Sequence, residues 1–218
     1  YIKNGDCYQI NFSQRFSASY AGDTWDIYNK IMPVYSSPYS AYINMPFVNI
    51  MSFSPERFLS YDDNIVETKP IKGTRPVSSD LEINKRLIEE LSSSYKERAE
   101  NLMIVDLLRN DLGKNCEFGS VKVKELFSIE TFANVHHLVS TIQGKISQNS
   151  NIYKLIRDCF PGGSITGAPK IIQIRLLSGK YKYPNRIEKE QRRMTIRAIE
   201  SKSNIITCLA FLDRLSTA

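Results

Sequence analysis

The repeat of apolar and polar positions changes several times along the chain, and each change predicts a different element. Residues 8–16 carry apolar side chains at Tyr8, Ile10, Phe12 and, after Gln14, Phe16. A repeat of two predicts a strand. Further strands are expected at 41–43 and 48–53, with Met45-Pro46 as the break between them. Residues 57–61 and 65–68 read as a hairpin turning at Asp62-Asp63-Asn64. The repeat then lengthens. Ser79 and Glu82 have capping-box spacing, and Ile83, Leu87, Ile88 and Leu91 make one apolar helical face. A second helix is expected over 95–110 with Gly113 as its stop. It is apolar on most sides between positions 102 and 108, which predicts burial. Strands return at 120–123 and 139–146, and a short helix at 151–160 ends in Pro161-Gly162-Gly163. A helix at 171–177 and strands at 195–199 and 205–209 complete the pattern. Strands with long helices between them, without regular βαβ alternation, predict an α+β fold.

Composition narrows the function classes. A chain of 218 residues can bury one large core or two fused lobes, and 42% hydrophobic with 24% charged residues argues against disorder. No apolar run approaches the roughly 20 residues of a membrane span, and no leader pattern opens the chain, so the expected location is the cytoplasm. The net charge is +6, but basic and acidic residues are interleaved. Even the dense stretch 180–193 carries Glu188 and Glu190, and no nucleic-acid module accompanies it. A mild positive bias suits a small dianionic substrate. The four cysteines form no CxxC pair, so a zinc ribbon or redox motif is unsupported.

Five clusters could carry chemistry. In Pro70-Ile71-Lys72-Gly73-Thr74, a desolvated lysine would be a usable amine nucleophile; the competing reading is a surface lysine in a turn. In Ser54-Pro55-Glu56, burial would make the carboxyl a general acid, against a solvated turn glutamate. Glu97 and Glu100 share a helical face, which suits a hard cation such as Mg²⁺ or, more simply, intrahelical ion pairs. His136 and His137 are adjacent, so a strand would send them to opposite faces and at most one into a site. The segment Pro161-Gly162-Gly163-Ser164-Ile165-Thr166-Gly167-Ala168-Pro169-Lys170 offers N–H groups and hydroxyls to a carboxylate. It is not a P-loop, because Ala168 rather than Lys follows Gly167.

Taken in order, these segments resemble the chorismate-utilising enzymes. The resemblance is carried by Gly5 to Asn11 (GDCYQIN), Ser54 to Phe58, the Pro-Ile-Lys-Gly-Thr segment, RAENLMIVDLLRNDLG from Arg98, Gly119-Ser120-Val121, His136 to Ser140 and Gly162 to Lys170. It runs almost unbroken to about position 174. The fold it implies is an anthranilate-synthase-like layered sandwich of mainly antiparallel sheets with helices outside, incomplete in this chain. Members that add water usually have a lysine where Gln9 stands, so Gln9 resembles the ammonia-adding members. A lysine at position 72 resembles the aminodeoxychorismate synthases, component I, rather than the anthranilate synthases.

The resemblance implies amination of chorismate at C4, on the route to 4-aminobenzoate and folate. Lys72 would be the covalent nucleophile, Glu56 the general acid and His137 a neighbour of the ring. Gln9, Ser120, Gly163, Thr166 and Arg197 would bind substrate, Glu100 would ligate Mg²⁺, and a glutamine amidotransferase would supply ammonia. Two alternatives stay open. One is an anthranilate, salicylate or isochorismate synthase; the other is an inactive relative that binds the glutaminase. The domain is expected to span 1–218, without the family's N-terminal portion and without segments near 180–193 and 210–211.

Overall fold

The computed structural model describes residues 3, 5, 7–11, 16–35 and 37–170. The helix expected at 171–177, the strands at 195–199 and 205–209, the two suspected breaks and Arg197 lie outside the described residues. In chain order the elements are β1 (Gln9–Ile10), α1 (Thr24–Tyr35), β2 (Tyr39–Met45), β3 (Val48–Ser54), β4 (Arg57–Asp62), β5 (Ile65–Lys69), β6 (Ile71–Pro76), α2 (Leu81–Ser93), α3 (Tyr95–Gly113), β7 (Lys122–Thr131), β8 (Val135–Lys145), α4 (Ile152–Cys159), α5 (Gly163–Thr166) and β9 (Gly167–Ala168). Helices and antiparallel strands are mixed without βαβ units, so the expected α+β class holds. Among the described residues, no helix is long and apolar enough to cross a membrane.

The described residues divide into two compact units, one made of residues up to Asn11 together with Glu56–Lys170 and the other of residues 16–55. In the second unit β2 and β3 form a hairpin, Tyr39 opposite Ser54 and Met45 opposite Val48, which turns at the expected Met45-Pro46 break. Helix α1 was not expected from the sequence. Its Pro33 and its Trp and Tyr residues resemble strand and turn signals, yet tertiary packing overrides them. Trp25 lies 5.0 Å from Tyr42 and Tyr28 lies 5.2 Å from Phe53, ring centre to ring centre.

In the first unit β8 is the central strand. Residues 136–142 of β8 are all buried. One edge pairs with β7. The other edge pairs with β5 and β6 laid end to end: Ile65 faces Lys145, Thr68 faces Ile142, and Ile71 faces Val139. Pro70 interrupts this edge because it has no N–H to give, while its carbonyl still accepts from Ser140 N at 3.2 Å. The β4–β5 hairpin turns where the sequence placed it, with Asp63 and Asn64 at φ 42° and 63°, the left-handed pair that a two-residue turn needs.

Helix α2 starts one residue later than the Ser79 box predicts. Asp80 is its cap, accepting from the N–H groups of Glu82 and Ile83. Helix α3 covers the expected span and runs on to Gly113. It is not buried on all sides: Ile104, Val105, Leu108 and Leu112 are buried, whereas Leu102 and Asp106 face solvent. That face of α3 packs with Val66, Ile142, Leu155, Cys116 and Cys159 into the core. Burial presses the Cys116 thiol pKa up to about 11 and that of Cys159 to about 12. Buried Asn101 accepts from Ser140 Oγ at 2.6 Å, and Ser140 Oγ accepts from Phe127 N at 3.1 Å. This fixes the bulge of β7 at Phe127, a non-glycine residue at φ 60°.

Candidate active site

Lys72 lies on β6, not in a turn. The ladder slips by one residue between Ile71 and Thr74, a bulge that contains Lys72 and Gly73. Gly73 has φ +86°, a conformation few L side chains adopt, and a Cβ there would come within 2.8 Å of Leu91 Cδ1. Glycine therefore allows the bulge that takes Lys72 out of regular pairing.

Glu56 follows the end of β3 and precedes β4. Its position is set by its neighbour: Arg57 pairs with Glu67 on β5, and Glu67 accepts from Gln143 Nε2 on β8 at 2.7 Å. The residue keeps some surface, but the carboxyl is crowded by protein. Loss of hydration is the largest influence on it and raises its pKa above the usual carboxylate value. The Ser164 side chain, the charge of Lys72 and the Ile71 backbone oppose that shift without cancelling it. The solvated turn glutamate is thus replaced by a carboxyl biased toward holding its proton.

His136 and His137 diverge as adjacent strand residues should. His136 is 1% exposed and is satisfied at both nitrogens, by Thr131 Oγ1 and Asn84 Oδ1 at 2.8 Å each. His137 lies opposite Thr74, 2.9 Å from its hydroxyl through Nδ1. Burial lowers its pKa, against a hydrogen bond with the Gly73 backbone and the charge of Glu130, with His136 adding to the lowering. It is therefore mainly neutral at pH 7.

The remaining residues come from the glycine-rich segment and β1. Gln9 pairs with Ala168 and Ile10 with Gly167. Gln9 Nε2 donates to Asn11 Oδ1 at 2.8 Å, and Asn11 Nδ2 donates to the Ser164 carbonyl at 2.6 Å. Gly163 is buried against α3, and a Cβ there would lie 2.6 Å from Leu107 Cδ2. The Thr166 hydroxyl lies 3.3 Å from the carbonyls of Gly162 and Gly167. Gln9, Glu56, Lys72, His137, Gly163 and Thr166 are thus linked through Asn11, Ser164 and Gly73. Asn11 and Ser164 were missed as site residues. The signals were Asn11 two places from Gln9, on the same strand face, and a hydroxyl in a segment expected to hold a carboxylate. The Ser164 side chain is hydrogen-bonded to the carboxyl of Glu56.

Two expected residues stand apart. Ser120 Oγ donates to Glu117 O at 2.8 Å and accepts from Lys145 N at 3.1 Å. It sits at the far end of β8, six residues beyond Val139 and so about 20 Å along the strand. Glu100 is half-buried on α3, one turn beyond Glu97. Glu97 is committed to Arg75 on β6 at 2.9 Å, a pair between elements rather than within the helix. Among the described residues no three His, Cys, Asp or Glu side chains gather to hold a metal. The described residues therefore gather no metal-ligand set around Glu100.

The chain is similar to known proteins over most of its length. Aminodeoxychorismate synthase component 1 of Salmonella typhimurium is 46% identical over 177 residues, 81% of this chain and 39% of that protein. The Bacillus subtilis protein of the same name is 41% identical over 81% of this chain and 38% of its own. A crystal structure of anthranilate synthase component I from Streptococcus pneumoniae superposes with a TM-score of 0.70 at 36% identity, covering 80% of this chain and 38% of that one. The chain thus spans about two fifths of the length of these relatives. The family described as chorismate binding enzyme matches residues 1–187, a span that includes the segments meeting around Glu56 and Lys72, and this chain belongs to that family.

Proposed function

We propose that the chain is the chorismate-binding part of an enzyme that aminates chorismate at C4, giving 4-amino-4-deoxychorismate on the route to 4-aminobenzoate and folate. The observation that carries the reading is a buried carboxyl, Glu56, whose pKa is raised by burial and which lies close enough to Lys72 to feel its charge. The reaction needs the tautomer in which the proton sits on Glu56 and the Lys72 amine is neutral. Burial of the carboxyl moves the balance that way. The Lys72 amine attacks C2 of chorismate, both conjugated ring double bonds shift, and the C4–O bond breaks as Glu56 gives its proton to the departing hydroxyl. Ammonia then bonds to C4, both ring double bonds return to their first positions and the C2–N bond to Lys72 breaks. Gln9, a neutral amide, leaves ammonia as the nucleophile. Neutral His137 lies beside the ring, Gly163 and Thr166 shape the pocket, and Arg197 pairs with a substrate carboxylate.

Mg²⁺ belongs to this reading, with Glu100 as one ligand; it takes few carboxylates and keeps several waters, and it would neutralise a substrate carboxylate. A glutamine amidotransferase would supply ammonia, and the cytoplasm is the proposed location. The names of these two curated relatives support the reading. The 36% identity to an anthranilate synthase component I supports amination at C2 as a second reading. The test is to incubate the full-length protein with chorismate, Mg²⁺ and ammonium and identify the product by mass spectrometry. The expected result is 4-amino-4-deoxychorismate, lost in Lys72→Ala. Anthranilate would establish the second reading, and no product with a glutaminase still bound would make the chain a binding relative.

A further inference from the structure

We propose that Ser164 is a positioning residue for the carboxyl of Glu56, held to that task by Asn11 and by the Lys170–Asp111 pair. The inference rests on the reading of Glu56 as the proton donor. Ser164 lies in α5, a helix of only four residues, which has little packing of its own to fix a side chain. Its surroundings supply the fixation. Asn11 Nδ2 donates to its carbonyl at 2.6 Å. The Lys170 ammonium donates to Cys159 O at 2.5 Å and to Asp111 Oδ2 at 2.8 Å. One buried cation therefore closes the two ends of segment 160–169 and ties them to α3. Asp111 is 2% and Lys170 10% exposed at the side chain, and Lys114 completes the charge balance at Asp111 Oδ1, 2.8 Å away. A buried ion pair is weak evidence for stability, since apolar substitutes often serve as well; what it does supply is fixed geometry.

A hydroxyl suits the task because it donates to a carboxylate and accepts from a carboxylic acid. It can therefore keep Glu56 aimed before and after proton transfer. Lys72 on β6 is the charged side chain that faces Glu56. As a donor to the ionised form, Ser164 holds the Glu56 pKa down, so removing the hydroxyl lets it rise further.

The test uses the full-length protein with chorismate, ammonium and Mg²⁺, and records kcat, KM and the kcat–pH profile for Ser164→Ala, Ser164→Thr, Asn11→Ala and Glu56→Gln. Ser164→Ala is expected to lower kcat about three- to tenfold, the scale of one hydrogen bond, with KM unchanged. An acid must be protonated, so its deprotonation sets the basic limb; that limb moves to higher pH in Ser164→Ala and returns in Ser164→Thr. Asn11→Ala moves it part of the way. Wild-type kcat and limb in Ser164→Ala, beside an inactive Glu56→Gln, would overturn the inference while leaving the acid in place. A fully active Glu56→Gln would remove the acid reading and the inference with it. Should Ser164→Ala not fold, Ser164→Cys, a weak donor of similar shape, must show the same displacement, and an unmoved limb would overturn the proposal.

Discussion

The two ends of β8 do different work, although one strand makes both. At the Ile142–Lys145 end, β5 pairs without a break in register, Ile142 enters the core, and Ser120 joins a turn to the strand. At the Val135–Val139 end, β6 is cut off by Pro70, slips by one residue and carries a glycine at φ +86°. The candidate chemistry lies at this irregular end. Regular pairing sends side chains alternately to two faces and leaves few ways to aim one elsewhere. A bulge frees Lys72 from that alternation, at a cost that the rest of the sheet offsets.

If this division is right, substitutions at the two ends should separate stability from turnover. The largest expected effect is Ile142→Ala at the regular end, which should cost about 2–5 kcal/mol in urea unfolding and leave the activity of the folded fraction intact. Gly73→Ala at the irregular end should cost about 1–2 kcal/mol for a Cβ at positive φ. It should also lower kcat roughly 10²-fold through misplacement of Lys72. A stability loss with unchanged kcat would show that the bulge does not aim the lysine. Ser120→Ala should cost about 1 kcal/mol and leave kcat and KM as they are; a raised KM would return Ser120 to the substrate site.

The smallest expected effect is pH-dependent. The folded pKa of His137 lies below its unfolded value near 6.5. Its stabilising contribution is therefore fully present above about pH 6.5 and is lost as pH falls through the lower, folded value. Unfolding curves between pH 8 and 5 should show a shallower fall for His137→Gln than for the wild type.

Elements with strong local chemistry were legible in the sequence. Asp62-Asp63-Asn64 specifies a turn by itself, and the 95–113 helix has both length and a stop. The irregular edge was not legible. Pro70 and Gly73 are turn residues by every local rule, yet the partner strand β8 makes them a strand with a bulge. Tertiary packing of aromatic rings likewise made α1 a helix where the sequence pattern predicted no element. Asp80 displaced Ser79 as cap because its carboxylate reaches two N–H groups. In the site, Lys72, Glu56, Gln9 and His137 could be singled out because each has a chemical role that its neighbours suggest. Ser164 and Asn11 act only through other residues, and a linear pattern does not show which residues those are.

The core cysteines give the molecule a built-in reporter of breathing. Alkylating reagents attack thiolates, and with pKa values of about 11 and 12 Cys116 and Cys159 hold very little thiolate at pH 8 while buried. In the native state each should label only when the α3–β8–α4 core opens. The labelling rate then reads the opening free energy of that core directly, without a spectroscopic probe or a new substitution.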